Sequence, residues 1–354
     1  MNITPINNQY NYNLYMNRQN RAVTFKAGQN YQSLYAELEK LAKDVEQKQP
    51  KISKARKFKL PLIQLLHRLL RHQKSNNTLS KENLKTDKYG WTELHYLCRD
   101  GYTDAVKNIL KVHPNLNLNQ LADGSSYVDI ANYNGRNDIV NLIVGMDNYD
   151  PTVANEGGWT DLHHLCRDGR YKVVKTILKK HPDINLNQFT KSGYSYMYLA
   201  EHNKNSDIVN FLVGRKNYNP TIKNNYGWDD LHYLCQDGYT KAVKKILKKH
   251  PDIDINQTTN SGASYVKLAA KNNYEDIVNM LVSMKNYNPT VKDKNGWDDL
   301  HYLCYWGFYD AVKTILKKHP DIDINQLTNE GKSYIGLAKS HDNKKIVNLL
   351  AQYI

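Results

Sequence analysis

Residues 158–169 read GWTDLHHLCRDG. Two histidines, a cysteine and two aspartates fall within a dozen positions, which would suit a metal or catalytic site if the stretch stood alone. It does not stand alone. GWTELHYLCRDG occupies 90–101, GWDDLHYLCQDG 227–238 and GWDDLHYLCYWG 296–307. A weaker unit lies midway between these: DGSSYVDIANYNG at 123–135, SGYSYMYLAEHNK at 192–204, SGASYVKLAAKNN at 261–273 and EGKSYIGLAKSHD at 330–342. From Gly90 through Gly124, Gly158, Gly193, Gly227, Gly262 and Gly296 to Gly331, the steps are 34, 34, 35, 34, 35, 34 and 35 residues. Residues 87–354 are therefore eight units of alternating type, in pairs of 68–69 residues. A period of this size is the signature of a stacked solenoid.

One unit shows the physics. In 227–261, Asp229 is placed to cap a helix by accepting from first-turn amides. Thr92, Thr160 and Asp298 take that place in the other strong units, and Ser126, Ser195, Ser264 and Ser333 in the weak ones. Asp230 falls in the first turn, where the helix dipole favours an anion. Leu231, Leu234 and Cys235 make one apolar face. Gly238 ends the helix in the left-handed conformation. A second helix follows, with Ala242, Val243, Ile246 and Leu247 as its face. Lys248, Lys249 and His250 stand at its end and Pro251 stops it. Neither helix buries its face alone, so stacking must make the core.

Thr92-Glu93-Leu94-His95 and Thr160-Asp161-Leu162-His163, each after a Gly-Trp turn, resemble the Thr-Pro-Leu-His hallmark of the ankyrin repeat. AVKKILKKHPDIDINQ resembles that family's second helix and finger, and Ala131, Ala200, Ala269 and Ala338 match its small first-helix residue. The resemblance covers about three quarters of the chain. The chain departs from the family in three ways. The family's proline is acidic or Tyr here, the weak units lack the histidine, and Lys204 replaces a turn glycine. The fold implied is an all-α ankyrin-repeat solenoid of about eight helix-turn-helix units.

Repetition also settles the opening inventory. An active site is needed once, whereas His95, His163, His232 and His301 match the family's structural histidine, which implies scaffolding. His113, His181, His250 and His319 precede prolines at helix ends, where dipole complementation accounts for them. No phosphate-binding loop, dinucleotide fingerprint, nucleophile elbow or zinc-protease motif occurs. The expectation is a non-enzymatic chain with no catalytic, metal or cofactor site. Cys98, Cys166, Cys235 and Cys304 recur two units apart, roughly 20 Å at ~8–10 Å per stacked helix. Disulfides need about 7 Å or less between Cα atoms. Four free buried thiols follow, which suits a reducing compartment and a cytoplasmic location.

The resemblance implies partner contacts beside each turn glycine and just before each mid-unit glycine, on a concave face. In the strong units these are Trp91, Arg99, Trp159, Arg167, Trp228, Gln236, Trp297, Tyr305 and Trp306. In the weak units they include Tyr133, Tyr194, His202 and Lys271. The four tip tryptophans fit either a shared packing role between tips or a binding role. Tyr305-Trp306 stands where the other strong units have Arg or Gln followed by Asp, so it carries more information about a specific partner. Alternatively, it covers the C-terminal end of the stack.

The net charge of +14 is uneven: 1–86 hold 16 basic and 5 acidic residues, and 87–354 hold 33 and 30. Residues 1–29 read as a disordered polar leader. Residues 30–86 read as a basic helical N-terminal region that caps the array. Within it, 31–48 fit an amphipathic helix, and 50–74 carry eight Lys and Arg, no acid and a leucine stripe. Segment 50–74 alternatively binds an anionic membrane surface or nucleic acid. The first 30 residues lack the apolar core of a secretory signal, and no apolar run approaches the ~20 residues of a membrane span. The expectation is a monomeric scaffold that binds another protein. The AT-rich codon bias implied by abundant Asn, Lys, Tyr and Ile adds the hypothesis of a host-associated microbe's effector, delivered into a host cell.

Overall fold

The computed structural model describes residues 86–353. The readings made for the leader, the N-terminal cap and the basic segment lie outside these residues. Sixteen helices follow one another in the described residues, with isolated bridges at the loop fingers and no extended strand. They are α1 (Glu93–Asp100), α2 (Thr103–Val112), α3 (Tyr127–Tyr133), α4 (Asn137–Val144), α5 (Asp161–Arg167), α6 (Tyr171–Lys180), α7 (Tyr196–His202) and α8 (Ser206–Val213). Then come α9 (Asp230–Gln236), α10 (Thr240–Lys249), α11 (Tyr265–Lys271), α12 (Glu275–Val282), α13 (Asp299–Trp306), α14 (Tyr309–Lys318), α15 (Tyr334–Ser340) and α16 (Lys344–Leu350).

Each unit is one helix pair, and the helices form two layers. First helices (α1, α3, α5 and onward) stack on first helices, and second helices on second helices. Leu94, Leu97 and Cys98 of α1 meet Val106, Ile109 and Leu110 of α2 in the core, and the same positions are buried in later pairs. A buried Leu or Ile contributes about 1.5–3 kcal/mol, so the core is distributed along the stack with no single centre.

All eight expected N-caps form. Thr92, Ser126, Thr160, Ser195, Asp229, Ser264, Asp298 and Ser333 each accept a backbone N–H three residues on. The turn between paired helices needs a left-handed residue, and Gly101 and Gly238 supply it at φ 84° and 76°. Three weak units have no glycine there: Lys204, Asn273 and Asp342 adopt φ 61°, 62° and 55°. The turn is kept and the side chain bears the strain, about 1–2 kcal/mol for an ordinary residue such as lysine.

Hydroxyl–carboxylate contacts join the units. Ser126 donates to Asp161 Oδ1, and Tyr149 donates to Asp161 Oδ2 at 2.8 Å. The pattern repeats as Ser195–Asp230–Tyr218 and Ser264–Asp299–Tyr287. At the alternate junctions, Tyr265 and Tyr334 donate to Asp229 and Asp298 at 2.6 Å, while Tyr127 and Tyr196 lie 3.1 and 3.3 Å from Thr92 and Thr160. These links run from unit to unit down the array. They correct the dipole reading of Asp230. Burial outweighs the hydroxyl donors and pushes Asp161, Asp230 and Asp299 up to about 7, towards the neutral acid.

The recurrent histidines cap their own helices. Thr92 N–H donates to His95 Nδ1 at 3.0 Å, which leaves Nε2 to donate to the Gln120 carbonyl at 3.2 Å. Burial holds His95 and His163 neutral, at about 4 and about 3. Dipole complementation does not account for His250 and His319. Burial first, then the adjacent lysine, lowers both below the ordinary range, so they are not helix-end cations. The four cysteines are free and buried, and burial pushes every thiol far above its usual range.

Candidate protein-binding face

The loop tips are built by one side chain each. Asn155 Oδ1 accepts from the backbone N–H of Gly157 and Trp159 at 2.9 and 3.0 Å, and its Nδ2 donates to the Gly124 carbonyl of the preceding unit. Asp87, Asn224 and Asp293 close the other strong tips in the same way. Sequence reasoning missed these residues, although an Asn or Asp recurs four positions before every tip tryptophan.

This turn lays each tryptophan against the start of its first helix. Trp91, Trp159, Trp228 and Trp297 are half-buried, 4.7–5.1 Å from the rings of Tyr96, His164, Tyr233 and Tyr302. They also lie 5.7–6.0 Å from the capping histidines. Each ring packs on the first helix of its own unit, and one part of it still faces solvent. The residue eight positions on reaches the same ring in three units. Arg99 sits 5.8 Å from Trp91, Arg167 5.6 Å from Trp159 and Tyr305 5.7 Å from Trp297. In the third strong unit that position is Gln236.

The weak units fill the space between. Tyr194, Tyr198 and His202 stack in a column at 5.2 and 5.4 Å. Tyr133 is 79% exposed, and Lys271 is also exposed, each apart from that column. Tyr305 and Trp306 are half-buried. Tyr305 lies 3.8 Å from His341 of the last unit and Trp306 stacks on Tyr302, so part of this aromatic surface packs within the array.

Three contacts that sequence reasoning missed bridge weak to strong units at one register. Asp129 meets His164 at 3.3 Å, Tyr198 meets Tyr233 at 4.4 Å, and Lys267 lies 4.2 Å over the Tyr302 ring. A histidine–carboxylate contact, an aromatic pair and a cation–π contact thus occupy equivalent places. The face is periodic in shape and aperiodic in chemistry, which is what recognition of an irregular partner surface requires.

Among the described residues, no three His, Cys, Asp or Glu side chains converge as a metal site. None of the described helices is long and apolar enough to cross a membrane.

A family model for ankyrin repeats in three copies matches residues 128–224, 196–293 and 266–354. The chain is 28% identical over 164 residues to human Transient receptor potential cation channel subfamily A member 1, covering 46% of this chain and 11% of that protein. It is 24% identical over 159 residues to the Saccharomyces cerevisiae Target of rapamycin complex 2 subunit AVO2, covering 44% of this chain and 37% of that one. It is 24% identical over 258 residues to the yeast protein named "Probable 26S proteasome regulatory subunit p28", covering 71% and 95%. The chain thus spans about a tenth and about a third of the first two relatives.

Proposed function

The chain belongs to the ankyrin-repeat family, whose repeats mediate protein–protein interaction, and from that premise we propose that it is a non-enzymatic scaffold that grips a partner protein on the concave face formed by its loop tips and first helices. The observation that carries this reading is the row of half-exposed tip tryptophans, flanked by side chains that change from unit to unit while the backbone beneath repeats. Trp, Tyr and Arg dominate interface hot spots. Here Trp91, Arg99, Tyr133, Trp159, Arg167, Tyr194, His202, Trp228, Gln236, Lys271, Trp297, Tyr305 and Trp306 supply the contacts. The domain division at residue 87 belongs to the same proposal: 87–354 is the binding array and 30–86 its cap.

The test is affinity capture with the full chain, with 87–354 and with a full-chain Tyr305→Ala/Trp306→Ala variant, each at low and high salt. A discrete protein held through high salt by the first two baits and lost with the third supports the face. Capture only by the full chain, with nucleic acid or lipid released by salt, overturns it and assigns binding to the basic segment 50–74.

An effector role inside a host cell rests on the AT-rich residue usage and on four buried free thiols, which suit a reducing compartment. Strict retention in the producing cell in a secretion assay sinks it.

A further inference from the structure

The strong units contain a small device that is complete in the first two, lacks its arginine in the third and is replaced by Tyr305-Trp306 in the fourth. In the first unit Arg99 lies over Trp91 and Tyr96, and its guanidinium binds Asp100 through Nε at 2.7 Å and Nη2 at 3.2 Å. In the second, Arg167 repeats the arrangement over Trp159, with the same two distances to Asp168. Asn132, from the preceding weak unit, also donates to Asp168 at 2.7 Å. In the third unit the aromatic floor of Trp228 and Tyr233 and the carboxylate of Asp237 are retained, but Gln236 stands in place of the arginine. Gln236 reaches Asp237 only at 3.4 Å.

Two further features set this unit apart. Glu201 stands where Asn132 stands one pair earlier. It is 1% exposed, and neither carboxyl oxygen has a hydrogen-bond donor. Burial, then the neighbouring Asp237 carboxyl, pushes Glu201 up to about 10, so it stands as a neutral acid. The second feature is the end of the first helix. Arg136 Nε donates to the Arg99 carbonyl at 3.0 Å, and Asn205 and Asn343 cap the carbonyls at the ends of α5 and α13. Tyr274 takes that position for α9, with its ring against Gly238. Glu201, Gln236, Asp237 and Tyr274, together with Lys204 and Lys241, also line a cleft of about 710 Å³ that Trp228 and Tyr233 do not border.

We propose that the surface over Trp228 and Tyr233 at the third strong unit is an arginine-binding subsite, in which a guanidinium from the partner protein takes the place that Arg99 and Arg167 fill in their own units. Asp237 binds it from the side, and the Trp228–Tyr233 pair supports its plane. A guanidinium suits these planar, forked demands better than an ammonium. The inference deepens the reading of this face as a protein-binding surface and names one chemical feature of the partner.

The test uses the full chain with nitrogen-15 label and follows its five tryptophan indole N–H signals. The probes are Nα-acetyl-arginine amide, Nα-acetyl-lysine amide and calcium chloride. The expected result is that the arginine probe shifts the Trp228 signal alone and binds at least threefold more tightly than the lysine probe. Asp237→Asn and Gln236→Arg should each weaken that response at least tenfold, the second by supplying the guanidinium internally. Gln236→Arg should also raise Tm, and Glu201→Gln should retain the response because Glu201 is already neutral. No Trp228 shift, an equal shift at Trp91 and Trp159, or a response to calcium alone overturns the proposal. The small probes report this subsite by itself. A captured protein whose binding is indifferent to Gln236→Arg removes the subsite and leaves the face intact; loss of capture with the Trp228 shift retained does the reverse.

Discussion

The Tyr218 hydroxyl donates to the Asp230 carboxylate at 2.9 Å from twelve residues earlier in the chain, and Ser195 of the preceding unit donates to the other oxygen of the same group. Burial nevertheless dominates and pushes Asp230 up to about 7. A carboxyl whose folded pKa is raised holds its proton more tightly in the folded state. Its contribution therefore falls as pH rises from about 4, the unfolded value, to about 7. His95 and His163 act oppositely. Both are held neutral, at about 4 and about 3, so their contribution is lost as pH falls below about 6.5. The two trends oppose each other between about pH 4 and 6.5, and the wild-type profile should be shallow there. Asp230→Asn removes one carboxyl and keeps the amide between two hydroxyls. Denaturant melts at pH 5 and pH 8 should show the variant gaining roughly 2 kcal/mol on wild type between them. A constant difference would mean that Asp230 stays ionised throughout.

The strong units use two cap chemistries for one job, Thr92 and Thr160 against Asp229 and Asp298. Each cap also touches the hydroxyl of a tyrosine in the next unit. Thr160→Asp should therefore lie within about 1 kcal/mol of wild type, and Thr160→Ala should lose about 1–2 kcal/mol. Equal losses from both variants would show that residue 160 matters by volume and not by accepting the His163 N–H.

Lys204 holds a left-handed turn at φ 61°. Lys204→Gly should raise stability by about 1 kcal/mol, and Asn273→Gly by less, since asparagine tolerates that conformation better. A Tm that falls with Lys204→Gly would show that the lysine side chain stabilises the array by more than its backbone strain costs.

The four thiols should resist a disulfide exchange reagent in the native protein and all react in denaturant. Burial disfavours the thiolate, which is the reacting form. Rapid modification of even one thiol in the native chain would reveal local opening of a first helix.

Much of this architecture was legible as repetition. The eight N-caps, the apolar faces, the glycine turns and the separated cysteines are local or strictly periodic, so spacing alone reaches them. The paired acids were not. Asp161 and Asp230 look like ordinary first-turn anions until a serine 35 residues upstream and a tyrosine 12 residues upstream meet them. His250 and His319 misled for a related reason, because burial lowers the charge that their position suggests. On the face, the tip tryptophans were visible and their ring partners were not. Asp129–His164, Tyr198–Tyr233 and Lys267–Tyr302 share a register but no residue type, so no motif announces them.

The alternation of junctions also sets the increment by which this gene can lengthen or shorten. Removing residues 158–226 brings Ser126 and Tyr149 to Asp230, the same triad in the same register, 69 positions later. Removing one weak unit instead sets a strong unit on a strong unit and strands an acid without its serine, and removing one strong unit sets a weak unit on a weak unit. In-frame duplication and loss should therefore be tolerated two units at a time, and an unequal crossover of half that length should yield a chain that fails at the splice.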